Sequence, residues 1–209
     1  FIPVMEQSMD ICQLDFYVLD HVCRDIYRWL EQGWNVVPIS VNFSRKHMMD
    51  PEFLTHVLRI VNERQVPHEL IEVELTETTT DVEFKDLKQV VRGLQDEGIR
   101  TSVDDFGMGY SSLNLIREIP WDVLKIDKSF VPVDGDDLDE TTKRMYKHVV
   151  SMSMDLEMEC VTEGIETKQQ VEFLRESGCV IAQGFYYDKP LPVGEFEGRL
   201  QKKFYEKMD

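Results

Sequence analysis

The sequence predicts an α/β fold of the (β/α) barrel type. Strand-like and helix-like stretches alternate, with six strands discernible, and such alternation implies a mainly parallel sheet. Polar residues stand at or just past the C-terminal ends of those strands: Asn42, Glu74 with Glu77, Asp104 with Asp105, Lys125 with Asp127, Glu163 and Gln183. A barrel gathers these ends on one face, whereas an open sheet concentrates functional groups from fewer strands at a switch point. No G-x-G-x-x-G follows the first strand and no G-x-x-x-x-G-K-[ST] occurs. GMGYSS at 107–112 has only two glycines.

The elements follow in order. Phe16, Leu19, Val22, Cys23, Ile26, Tyr27 and Leu30 recur at helical spacing up to Gly33, a natural stop. NVVPISVN (35–42) is β-branched and apolar and predicts a strand, although Pro38 has no N–H to give to a ladder. A helix is expected over 53–65, a strand over 70–77, a helix over 84–98 ending at Gly98, and a strand over 100–106. Residues 121–130 hold a further strand. The acidic loop 134–140 leads into a helix reaching about residue 156. A strand at 158–163, a helix at 167–178 closed by Gly178, a strand at 179–184 and a terminal helix over 193–208 complete the chain. No low-complexity segment or Pro/Gly/Ser-rich linker interrupts it, so one domain over 1–209 is expected.

The 209 residues carry 40 acidic against 23 basic side chains, a net charge of −17. That argues against a long nucleic-acid groove, which needs clustered Lys and Arg, and leaves room for a small phosphate ligand bridged by metal. No apolar run approaches the ~20 residues of a membrane span. Cys12, Cys23, Cys160 and Cys179 lack any C-x-x-C spacing, which points to reduced thiols and a cytoplasmic setting. The five histidines show no ligand spacing and read as surface residues.

Oxygen donors without sulfur or imidazole suit hard cations such as Mg²⁺ or Mn²⁺. Adjacent Asp104 and Asp105 diverge around a strand end, so one can bridge two metals while the other completes a second site; Glu74 and Asn42 supply further oxygens. Two ions about 3.5–4 Å apart clamp the attacking and leaving oxygens of an in-line phosphoryl displacement. Lys125 then stabilises developing charge or orients water, Glu163 holds metal or accepts a proton, and Gln183 hydrogen-bonds a ligand or a metal-bound water. Taken singly, each residue also reads as a cap or a solvated loop residue: Glu77 as a helix cap, Lys125 with Asp127 as an ion pair on a barrel rim. Their coincidence at six strand ends favours the functional reading.

SVNFS (40–44), ELTE (74–77), DDFGMGYSSL (104–113), LKIDKSF (124–130), TEGIE (162–166) and QGFYYDKP (183–190) resemble, in order, the motif series of the EAL domain, the family of bacterial cyclic-di-GMP phosphodiesterases and their inactive relatives. FIPVME at the start resembles its FIP-x-A-E segment. The resemblance implies a TIM-type barrel and hydrolysis of cyclic di-GMP to linear pGpG with two Mg²⁺ or Mn²⁺ ions. It implies metal ligands at Asn42, Glu74, Asp104, Asp105 and Glu163, with Lys125 beside the catalytic water. It also implies a loop-steadying role for Glu77, and substrate-side roles for Gln183, Asp127 and Glu166. A homodimer and attachment to further signalling domains are implied as well. The E-A-L motif itself lies upstream of the FIP segment in the family. The resemblance therefore implies a chain cut short at its N-terminus, lacking the first two barrel strands and impaired as a catalyst. Met108 stands where the family has Thr. The alternative is an inactive EAL-type domain acting as a cyclic-di-GMP sensor or protein-interaction module.

Overall fold

The computed structural model describes residues 5, 8–76, 81–107, 113–131 and 140–202, without the side chains of 81–83. It divides into two compact units, residues 1–123 and 124–209.

In the first unit, helix α1 (Asp10–Glu31) carries a buried stripe of Ile11, Asp15, Leu19, Cys23, Ile26 and Trp29. It starts six residues before the first apolar position of the expected pattern, because a carboxylate at Asp15 breaks the stripe as read from sequence. Gly33, at φ +72°, ends it, its N–H reaching Leu30 O at 2.9 Å. Burial pushes the Cys23 thiol up to about 12, so it packs as a neutral apolar group. Strand β1 (Ile39–Phe43) begins directly after Pro38, not at residue 35. Proline cannot donate to a ladder, and Asn35, Val37 and Pro38 stay exposed. A 3-10 turn, Arg45–Met49, leads to α2 (Phe53–Glu63), which buries Phe53, Val57, Ile60 and Val61.

Strand β2 (Ile71–Thr76), helix α3 (Asp81–Asp96) and strand β3 (Arg100–Phe106) follow; β3 has the span expected. Gly98 at φ +82° and the Ile99 N–H on Leu94 O at 3.0 Å close α3. The short α4 (Leu113–Glu118), which buries Leu115 and Ile116, was not foreseen. The strands run parallel in the order β1-β2-β3, each return made by a helix. Ile71, Val73 and Leu75 are at most 1% exposed. Burying each such side chain contributes roughly 1.5–3 kcal/mol.

One histidine departs from expectation. His47 is only 1% exposed, ringed by Phe16, Phe43 and Phe53 at 4.7–5.3 Å between ring centres. The carboxylate of Asp15, 3.0 Å from Nε2, makes its burial tolerable.

Strand β4 (Val123–Ile126) starts on the last residue of the first unit and otherwise belongs to the second. There follow α5 (Glu140–Asp155), β5 (Glu159–Thr162), α6 (Lys168–Glu176), β6 (Ile181–Ala182) and α7 (Val193–Leu200). Thr167 and Gln170 form a reciprocal capping box at the start of α6. The order is β4-β5-β6, with Val161 opposite Ile181 and Thr162 opposite Ala182 in parallel register. Strand β6 has two residues where six were expected. Cys179 turns inward, its thiol donating to Ile181 O at 3.3 Å and lying 3.2 Å from Thr162 Oγ1, which contacts the Tyr146 hydroxyl at 2.7 Å. The terminal helix is described to Leu200. All four cysteines are free, and no helix among the described residues is long and apolar enough to cross a membrane.

Candidate metal and phosphoester site

Period-2 alternation gives the first unit's sheet two different faces. Ile39, Val41 and Phe43, then Ile71, Val73 and Leu75, then Thr101 and Val103 share one. The other is polar throughout. The register sets Ser40 beside Glu72 and Arg100, Asn42 beside Glu74 and Ser102, and Thr76 beside Asp104.

These rows differ in chemistry. In the first, the Ser40 hydroxyl donates to Glu72 Oε1 at 2.9 Å, and Arg100 Nε lies 4.0 Å from Glu72 Oε2. A buried carboxylate is satisfied there by a hydroxyl and a cation. Farther along, Glu74 is 3% exposed, and one of its carboxylate oxygens lies within 4.8 Å of one from Asp104. An ion about 2.0–2.1 Å from each ligand oxygen spans a pair up to about 4.2 Å apart, so these carboxylates lie near the reach of one shared divalent ion. The oxygen-only donors (Asn42, Glu74, Asp104) suit Mg²⁺ or Mn²⁺ rather than a softer metal. Asp105 is exposed and adopts φ +55°, a left-handed conformation that Asp tolerates better than most residues, and Gly107 follows at φ +103°. The chain thus turns sharply where β3 ends.

In the second unit, Lys125 is 5% exposed within β4, and its Nζ lies 2.5 Å from Glu163 Oε1. The Glu163 N–H donates to Ile126 O at 3.0 Å, which fixes the residue just past β5. Lys125 therefore pairs with Glu163. Asp127 instead caps the 3-10 turn Lys128–Phe130, accepting from Ser129 N at 2.8 Å. Gln183 is held by its backbone, giving its N–H to Thr162 O at 2.8 Å and accepting from Ile165 N at 3.0 Å, while the residue stays exposed. At Gly184 a Cβ would sit 2.1 Å from the Ile165 carbonyl oxygen, so no side chain fits. Glu166 is exposed; its backbone N–H donates to Gln170 Oε1 at 2.7 Å.

The first unit thus joins Asn42, Glu74 and Asp104 on one face and presents Asp105 at the strand end; the second joins Lys125 to Glu163 and places Gln183 and Glu166 in the turns beside them. Asp127 is engaged as a cap. Glu77 and Met108 lie outside the described residues. Sequence reasoning missed Glu72, whose signal was the alternation in IEVELT, a strand with glutamates at every second position and apolar residues between, and Arg100, which only the register sets opposite it.

Comparison with known proteins supplies the context. The family model described as EAL domain matches residues 1–190. Among curated relatives, the probable cyclic di-GMP phosphodiesterase PdeB of Escherichia coli is 36% identical over 94% of this chain and 36% of its own length. The cyclic di-GMP phosphodiesterase NbdA of Pseudomonas aeruginosa is 31% identical over 96% of this chain and 25% of its own. The solved MucR phosphodiesterase of P. aeruginosa, in complex with c-di-GMP, superposes with a TM-score of 0.85 at 30% identity, covering 94% of this chain and 78% of that one. The chain spans about a quarter of the length of the first curated relatives it matches.

Proposed function

The chain belongs to the EAL domain family, a family of TIM-like α/β barrels, and we propose that the full-length protein carrying it hydrolyses cyclic di-GMP to linear pGpG in a metal-dependent reaction, this segment alone being impaired as a catalyst. The observation that carries this reading is the Glu74–Asp104 carboxylate pair, its oxygens within 4.8 Å, on the polar face of a sheet whose other face is apolar. Two like charges so close repel, and a divalent cation held between them would offset that repulsion. The similarity to PdeB, NbdA and MucR supports cyclic di-GMP as the substrate.

Asn42, Glu74, Asp104, Asp105 and Glu163 hold two Mg²⁺ or Mn²⁺ ions in this proposal. When bound, such ions supply a water acidic enough to attack at neutral pH and neutralise charge on the phosphate oxygens. Lys125 holds Glu163 in place and keeps positive charge close to where the pentacoordinate phosphorus gathers negative charge. Glu163 accepts the proton of the attacking water. Gln183 and Glu166, on turns fixed by backbone hydrogen bonds, orient the dinucleotide; Asp127 shapes the substrate side through the turn it caps, and Glu77 steadies the loop that follows β2. The family match runs across both units, which supports a single functional domain over 1–209. A cytoplasmic, homodimeric domain within a larger signalling protein completes the proposal.

The test is turnover by the full-length protein. Cyclic di-GMP should be converted to pGpG with Mg²⁺ or Mn²⁺, and chelation should abolish the reaction. Binding without turnover in either metal would replace the enzyme reading with that of a sensor.

A further inference from the structure

We propose that Asp15, a residue of α1 outside every motif named above, is the positioning residue for Asn42. The inference rests on the proposed metal-ligand role of Asn42.

Asp15 occupies the centre of an apolar helix stripe, one turn from Ile11 and one from Leu19, and is only 7% exposed. A buried carboxylate is costly unless it is hydrogen-bonded. Here one oxygen, Oδ2, takes two partners: the Ser44 backbone N–H at 2.8 Å and His47 Nε2 at 3.0 Å. A carboxylate only accepts, so Nε2 carries the proton. That leaves His47 Nδ1 buried, with no hydrogen-bond partner among the described residues. The imidazole is therefore held by Asp15 and by the three phenylalanine rings around it.

Ser44 and His47 bracket the link that leaves β1. A single oxygen grips both ends of that link, and Asn42 lies two residues before the nearer grip. β1 has a hydrogen-bonded neighbour on one side only within its unit, at β2, so the ladder alone leaves its C-terminal end prone to fraying. On the far side, Arg45 Nε donates to Thr76 Oγ1 at 3.0 Å, tying the same link to the end of β2. Asp15 supplies the matching anchor from the helix layer. Together they hold the backbone of Asn42 level with Glu74, its register partner. The neutralised Glu72 row needs no such device, since its side chains bond one another directly.

The test is a double-mutant cycle on Mn²⁺ affinity, measured by calorimetry on the full-length protein without substrate. Asp15→Asn keeps the volume and one acceptor but loses the charge. It should weaken Mn²⁺ binding by about 10-fold, the scale of lost outer-sphere support, and speed amide exchange over residues 42–47. His47→Phe keeps an aromatic ring among the three phenylalanines but removes the second partner of Asp15 Oδ2, and it should show a loss in the same direction. In an Asn42→Ala background neither change should weaken binding further. Equal weakening in both backgrounds, or unchanged Mn²⁺ affinity despite faster exchange, overturns the inference and leaves Asp15 a purely structural residue. If Asn42→Ala alone leaves Mn²⁺ binding intact, the inference falls by a different and recognisable route: the ligand role given to Asn42 is wrong.

Discussion

Glu72 and Glu74 stand on the same strand and the same face, one pleat repeat apart, and both are buried. Glu72 meets a serine hydroxyl and an arginine; Glu74 has Asn42 and Ser102 in register and an Asp104 carboxylate within 4.8 Å. Residue type, burial and backbone are alike, so the neighbours alone separate the two. A buried carboxylate among donors and a cation is structural, since its charge is answered by the protein. Glu74 is set instead against a second carboxylate, and on that difference the proposed metal site rests.

The largest effect is expected at Glu74. Glu74→Gln should reduce turnover of cyclic di-GMP by at least about 100-fold, the scale for losing one charge-stabilising group in an active site. It should also abolish any rise in melting temperature on adding Mn²⁺. The wild type should gain about 2.7 kcal/mol at a metal concentration 100 times Kd, read as a shift in the thermal midpoint. Glu72→Gln should do the reverse. It should lower unfolding free energy in urea by about 1–3 kcal/mol, because Ser40 and Arg100 lose an ionised partner, and leave the Mn²⁺-induced shift intact. If both variants lose the metal response equally, the two rows are not distinct.

A finer cut separates backbone from ligand at Asp105. Asp105→Ala should cost about 1 kcal/mol more stability than Asp105→Asn, since Ala resists the φ of +55° that Asn accepts, while both weaken metal binding alike. The smallest effect concerns an exposed carboxylate answered by a cation at the surface. The Arg199 guanidinium, 2.5 Å from Asp188, holds that carboxyl below the usual range. Its contribution is therefore present above the ordinary carboxylate pKa and fades as pH falls through the lowered value. Arg199→Ala should return the Asp188 titration, followed by NMR, to the ordinary range with turnover unchanged.

Much of this was legible in the sequence, unevenly. β3 matched its expected span because an alternating run is bounded by a glycine stop on one side and a glycine turn on the other. β6 did not, because Cys179 and Gln183 satisfy their polar groups in a buried network and a turn rather than in a ladder, and neither arrangement leaves a trace in local pattern. Asn42, Glu74 and Asp104 were identifiable by type and place; their shared face depended on register, which an alternating strand fixes strongly. The Lys125–Glu163 pair joins residues 38 apart in the chain, a separation that local pattern does not reveal, while Asp127 caps the 3-10 turn beside it. Asp15 was invisible: a lone acid in an apolar stripe looks like an interruption until its two partners are seen.

At Gly184 the backbone rides directly on that of Ile165, too close for even one methyl group. The turn after β5 and the turn after β6 are thereby locked into a single body, although nearly twenty residues of helix and loop lie between them. Sequence change in one must then be matched in the other. Across descendants of this chain, insertions in either turn should be inherited only as pairs, and position 184 should stay glycine while Gly194 and Gly198, which face open space, drift freely.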